Sequence, residues 1–124
     1  MDQQYEDGLA RRKQVMGEPF VAKALGGATA FTQPLQDHIT RNAWGDVWLR
    51  EGLDLKTRSL VTIAMLTALG RSTELKGHVR GALNNGATVK EIQEVLLHAT
   101  IYCGVPTAVE GFRAAAEIID APLA

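Results

Sequence analysis

A chain of 124 residues, 46% hydrophobic and 22% charged, is sized for one globular domain and can bury a core without metal or disulfide support. Thirteen basic against fourteen acidic residues leave a formal charge of -1, which excludes nucleic-acid or anionic-membrane recognition by whole-chain attraction. The single cysteine, Cys103, excludes an intrachain disulfide and a Cys-x-x-Cys redox pair.

Strand signals are weak, and turn residues divide the chain into about six helical segments, so the expected fold is an all-α, single-domain bundle. The first segment, Tyr5 to Met16, is charged but carries Tyr5, Leu9, Val15 and Met16, enough for one docking stripe. A short segment from Pro19 to Leu25 ends at Gly26 and Gly27. The third, from about Pro34 to Leu49, places Ile39, Ala43, Trp44, Val47 and Trp48 at helical spacing before Gly52 closes it.

Asp54 suits the N-cap of a fourth helix, whose Leu60, Ile63, Met65, Leu66 and Leu69 lie on every side and make it central. The uncharged run from Ser59 to Gly70 within it is far shorter than the roughly 20 residues of a membrane span. Ser72 or Thr73 is expected to cap the fifth helix, with Leu75, Val79, Ala82 and Leu83 as core face and Asn84, Asn85 and Gly86 as its stop. Thr88 and Glu91 form a capping box for the sixth, which runs to Tyr102 or Cys103, and Pro106 suits the first turn of a last helix through Ile119.

The sixth helix has two apolar faces. Ile92, Val95, Leu96, Ala99 and Cys103 cluster on one side, while Leu97 and Ile101 point away. Either other subunits cover the second face, and that of the fourth helix, or the helix is wholly buried in one chain. The N-terminus lacks the basic start and apolar stretch of a signal peptide, so a cytoplasmic location is expected.

No phosphate-binding loop, Gly-x-Ser-x-Gly elbow or His-Glu-x-x-His helix is present. What remains is Glu74 and His78, four apart on one helical face, where a carboxylate raises an imidazole pKa, fixes its tautomer and makes a proton donor usable near neutral pH. On spacing alone such a pair reads more simply as a solvated helix pair. Arg71 before the helix start can help hold an anion beside His78 or be a surface arginine. Arg58 can hold a substrate carboxylate or extend to water, and Trp44 and Trp48 can wall a substrate or anchor a core. Cys103 lies on the core stripe as an inert buried thiol. His38 and His98 have no partners at metal-ligand spacing, and no metal is expected.

Four stretches carry a resemblance in order and spacing: Ile39-Thr-Arg-Asn-Ala-Trp-Gly-Asp-Val-Trp48, Thr57-Arg-Ser-Leu-Val-Thr-Ile-Ala-Met-Leu66, Glu74-Leu-Lys-Gly-His78 with Asn84-Asn-Gly86, and Ile101-Tyr-Cys-Gly-Val-Pro106. Together they resemble the carboxymuconolactone decarboxylase family over nearly the whole chain, least in the first thirty residues and the tail. The resemblance implies a helical fold shared with alkyl hydroperoxidase D-like proteins, one domain over 1–124 with 1–30 as peripheral helices and 31–120 as core, and a homo-oligomer, hexamer or trimer. It implies a cofactor-independent step of bacterial protocatechuate degradation, acting on a dicarboxylate lactone.

In the hydroperoxidase relatives two cysteines precede an active-site histidine on the corresponding helix. Here Arg71 and Glu74 stand at those cysteine positions, His78 keeps the histidine, and Ser59 replaces a relay glutamate. The resemblance therefore implies His78 and Glu74 as catalytic residues, and Arg71 and Arg58, with Trp44 and Trp48, as the substrate-binding set.

Overall fold

The structure, a computed structural model, describes residues 2–121. Among these residues it contains seven α-helices, one π-helical and one 3-10 segment, and no strand. The all-α expectation holds, with one helix more than the expected six. The chain divides into two compact units between Asp54 and Leu55.

The first unit carries α1 (Gln3–Met16), α2 (Glu18–Gly26) and α3 (Gln33–His38), then a π-helical segment Ile39–Trp44 and a 3-10 turn Val47–Leu49. Asp2 caps α1 by accepting from the Tyr5 N–H, a cap that the sequence reading did not identify. Gly17 divides α1 from α2, which touch each other, and Val15 and Met16 of α1 and Val21 of α2 are buried.

The expected single helix from Pro34 to Leu49 is broken, and the reason is a close approach. A Cβ at Gly45 would lie 2.5 Å from the carbonyl oxygens of Gln4 and Arg41, and one at Gly8 would lie 2.7 Å from the Gly45 nitrogen. Two missing side chains thus let α1 press against the π-helical segment, and the chain bends at Asp46, φ -133°, ψ -76°.

The second unit carries α4 (Leu55–Leu69), α5 (Ser72–Asn84), α6 (Val89–Tyr102) and α7 (Val105–Ile119). Its core joins Ile63 of α4, Leu75, Val79 and Ala82 of α5, Ile92 and Leu96 of α6, and Ala114 and Ala115 of α7. Gly111 lets α7 cross closely, because a Cβ there would lie 2.9 Å from Thr67 Cγ2. The α5 and α6 core faces are those expected. The capping box is present in both directions, Glu91 N–H to Thr88 and Thr88 N–H to the Glu91 carboxylate.

Two expectations for α4 and α5 need correction. The α4 helix touches α5, α6 and α7 but is not enclosed on every side, since it buries only Ser59, Ile63 and Thr67 and leaves the stripe Val61, Met65 and Leu69 exposed. Neither Ser72 nor Thr73 caps α5. Arg71 occupies the N-cap position without a side-chain bond, and Ser72 is already the first helical residue. On α6, Leu97 and Ile101 are exposed, so the second apolar face is not buried within one chain.

Candidate functional site

The turn before α5 fixes where Arg71 stands. Gly70, at φ +70°, ends α4 in a Schellman motif, with the Gly70 N–H bonded to the Thr67 carbonyl and the Arg71 N–H to that of Leu66. The Arg71 carbonyl then accepts the first α5 bond from the Leu75 N–H. At the other end of α5, Asn85 donates from Nδ2 to Ser59 Oγ at 2.9 Å, which fastens α5 to the start of α4. Ser59 thus has a structural partner.

Within this frame Arg71 and Glu74 are exposed, while His78 is half-buried with its Nδ1 shut off from solvent. Leu75 and Val79, the residues beside this pair in sequence, lie in the core. Burial pushes His78 down to about 4, and Glu74 pulls it upward without reversing that. The upward shift expected from the spacing is therefore overruled by desolvation, and His78 is a neutral imidazole at pH 7. A neutral imidazole both donates and accepts a hydrogen bond, and it becomes an acid once an anion beside it restores its affinity for a proton.

Arg58 is half-buried in the first turns of α4, with its Nε inside. It shares the second unit with Arg71, Glu74 and His78. Trp44 and Trp48 belong to the first unit, both buried, their rings stacked 4.8 Å apart. Arg11 donates to the Trp48 carbonyl at 2.7 Å and holds that turn to α1.

A groove of about 550 Å³ lies between α4 and α6, lined by Leu60, Val61, Ala64, Val95, His98 and Tyr102 among others. His98 and Tyr102 meet in a tilted ring contact, centroids 4.8 Å apart and planes at 31°. Cys103 also lines it and is only half-buried, so the expected burial of its thiol in the core is corrected. Among the described residues no cluster of three or more His, Cys, Asp or Glu is arranged to hold a metal ion. No helix among them is long and apolar enough to cross a membrane.

One charged residue escaped the sequence reading. Arg12 of α1 is buried, 6% exposed, and donates from Nη1 to the Thr40 hydroxyl at 3.1 Å. Its run, Arg11-Arg12-Lys13, looks solvated in sequence. The only signal was its register, four residues after Gly8.

Comparison with known proteins fits this fold. The chain is 45% identical over 117 residues to a 4-carboxymuconolactone decarboxylase from Acinetobacter baylyi, covering 94% of this chain and 87% of that one. It is 48% identical over 106 residues to a nitrosuccinic acid decarboxylase from Metarhizium robertsii, covering 86% of this chain and 74% of that one. Residues 33–117 match the profile of the carboxymuconolactone decarboxylase family, and the chain belongs to that family.

Proposed function

We propose that the protein is a decarboxylase that converts γ-carboxymuconolactone to the enol-lactone of 3-oxoadipate without a cofactor, as a step of protocatechuate degradation. The observation that carries this is the α5 start, where an exposed arginine and carboxylate precede a half-buried imidazole. Similarity to a decarboxylase named for that substrate, along 94% of the chain, supports it.

The lactone is a dianion, and Arg71 with Arg58 is suited to its carboxylates. As carbon dioxide leaves, the electron pair of the broken carbon–carbon bond passes through the ring double bond onto the lactone carbonyl. The resulting dienolate takes a proton at the ring carbon beside that carbonyl, so each turnover exchanges one carboxylate for one hydrogen. His78 delivers this proton. Neutral at rest, it is loaded when the bound dianion opposes the effect of burial, and Glu74 orients it and pulls the same way.

The second relative favours a second substrate. A nitro-bearing carboxylate poses the same problem, because loss of carbon dioxide beside the nitro group leaves a nitronate that must be protonated at carbon. Supplying the purified protein with each compound in turn, and following substrate loss and carbon dioxide release, distinguishes the two. His78→Ala should lower turnover of the true substrate about 100- to 10,000-fold. Near-full turnover by that variant would remove His78 from the mechanism.

We also propose that the chain assembles with copies of itself, through the exposed apolar residues of α4 and α6.

A further inference from the structure

The burial of Arg12 is built, not incidental. Gly8, Arg12 and Val15 follow one another on one face of α1 and are all buried. The glycine contact with the π-helical segment brings that face down onto Thr40, itself wholly buried. Arg12 thus stands where a guanidinium is almost removed from water, yet among the described residues it forms no ion pair. Its one bond goes to a neutral hydroxyl. Three acidic groups of the same unit are engaged elsewhere: Asp2 with Arg41, Asp7 with Gln3 and Asp37 with Gln33.

A guanidinium in this position is under strain of solvation. Burial lowers its proton affinity below the ordinary arginine value, and the nearby Tyr5 opposes this only in part. Apolar residues of similar volume usually serve a buried position at least as well as an unpaired charge. An arginine retained here, with most of its five N–H donors uncommitted, is matched to a planar anion that arrives from outside.

We propose that Arg12 and Thr40 form a binding site for the carboxylate group of a small organic acid. The guanidinium fork supplies two parallel N–H bonds to the two carboxylate oxygens, while the wholly buried Thr40 hydroxyl accepts from Nη1 and holds the fork in place. The π-helical geometry, common at functional sites, sets Thr40 on this inner face. The proposal does not depend on the role given to His78.

Trp44 and Trp48, the only two tryptophans, belong to the same unit and report on it by fluorescence. The intact protein is titrated with succinate, adipate and inorganic phosphate, and its ligand-free melting temperature is measured. A saturable response to at least one dicarboxylate is expected, at least tenfold tighter than to phosphate. Arg12→Met should weaken it at least tenfold while leaving the ligand-free melting temperature equal or higher. Arg12→Lys, which keeps the charge but loses the fork, should weaken it several-fold and decides the matter alone if the methionine variant does not fold. Absence of a saturable response in the wild type, equal affinity for phosphate, or undiminished affinity in the variants overturns the proposal. None of these readouts depends on turnover, so this site and the α5 site can fail separately.

Discussion

The protonation state of His78 decides what the α5 turn can do before substrate arrives. Its pKa in the folded chain, about 4, lies below the ordinary value of 6.5 because burial penalises the imidazolium more than Glu74 supports it. Between those two values the unfolded chain binds more protons than the folded one, so stability rises with pH across that window and is progressively lost as pH falls through it. The contribution is at most about 3 kcal/mol by linkage, less where residual solvent contact screens the charge. His78→Gln removes the titrating group without emptying the site. Denaturant titrations from pH 4 to 7 should therefore show a flatter stability profile in this variant than in the wild type, and parallel profiles would contradict the buried neutral imidazole. Half-exposed Glu91, whose carboxyl lies below its usual range because it accepts the Thr88 backbone N–H and pairs with Lys56, changes stability in the same direction, rising with pH, but only around and below its ordinary value of 4.5. His78→Gln leaves that contribution in place, so the difference between the two profiles isolates His78.

At the scale of elements, the π-helical segment and α1 depend on two glycines more than on any side chain. Gly8→Ala would drive a Cβ into the Thr40 carbonyl and the Gly45 backbone, neither of which can rotate away. Overpacking of this kind commonly costs about 1 to 3 kcal/mol and should exceed the helix-propensity gain from alanine. Gly26→Ala, where a Cβ meets nothing within 4 Å, is the matched control and should change stability by less than about 1 kcal/mol. Equal melting temperatures for the two variants would contradict the close approach. Helix positions and core faces in the second unit were legible in the sequence because each is set locally, by the Thr88 and Glu91 box, the Gly86 stop, and the spacing of Leu75, Val79 and Ala82. The break after α3 was not legible, since it follows from a contact between Gly8 and Gly45 across 37 positions. The same limit applies to the sites. The spacing of Glu74 and His78 was visible, but the direction of the His78 shift depends on tertiary burial, and Arg12 meets Thr40 only through a contact 28 residues away.

At the scale of the whole molecule, the second apolar face of α6 and the outer stripe of α4 form one surface with the groove between them. Val61 and Tyr102 both line that groove, Met65 and Leu69 continue the α4 stripe, and Leu97 and Ile101 flank it on α6. Ile101 is 77% and Tyr102 76% exposed, far more than a folded chain usually leaves side chains of this size when they cluster. At roughly 150 to 200 Å² for each fully exposed large side chain, the cluster presents on the order of 700 Å², close to the ~800 Å² that one partner brings to a stable interface. A ridge such as Met65 or Ile101 of one copy has the dimensions to enter the groove of another, so self-association needs no further segment. The wild-type protein should therefore elute as an oligomer of defined mass in light-scattering chromatography at micromolar concentration, and the family resemblance puts that mass at three or six copies. Met65→Glu combined with Ile101→Glu places charges on both ridges and should shift the mass toward one chain while leaving the helical circular-dichroism signal unchanged. An unchanged mass in the double variant would move the interface elsewhere, and a wild-type monomer would leave the apolar face without a partner of its own kind.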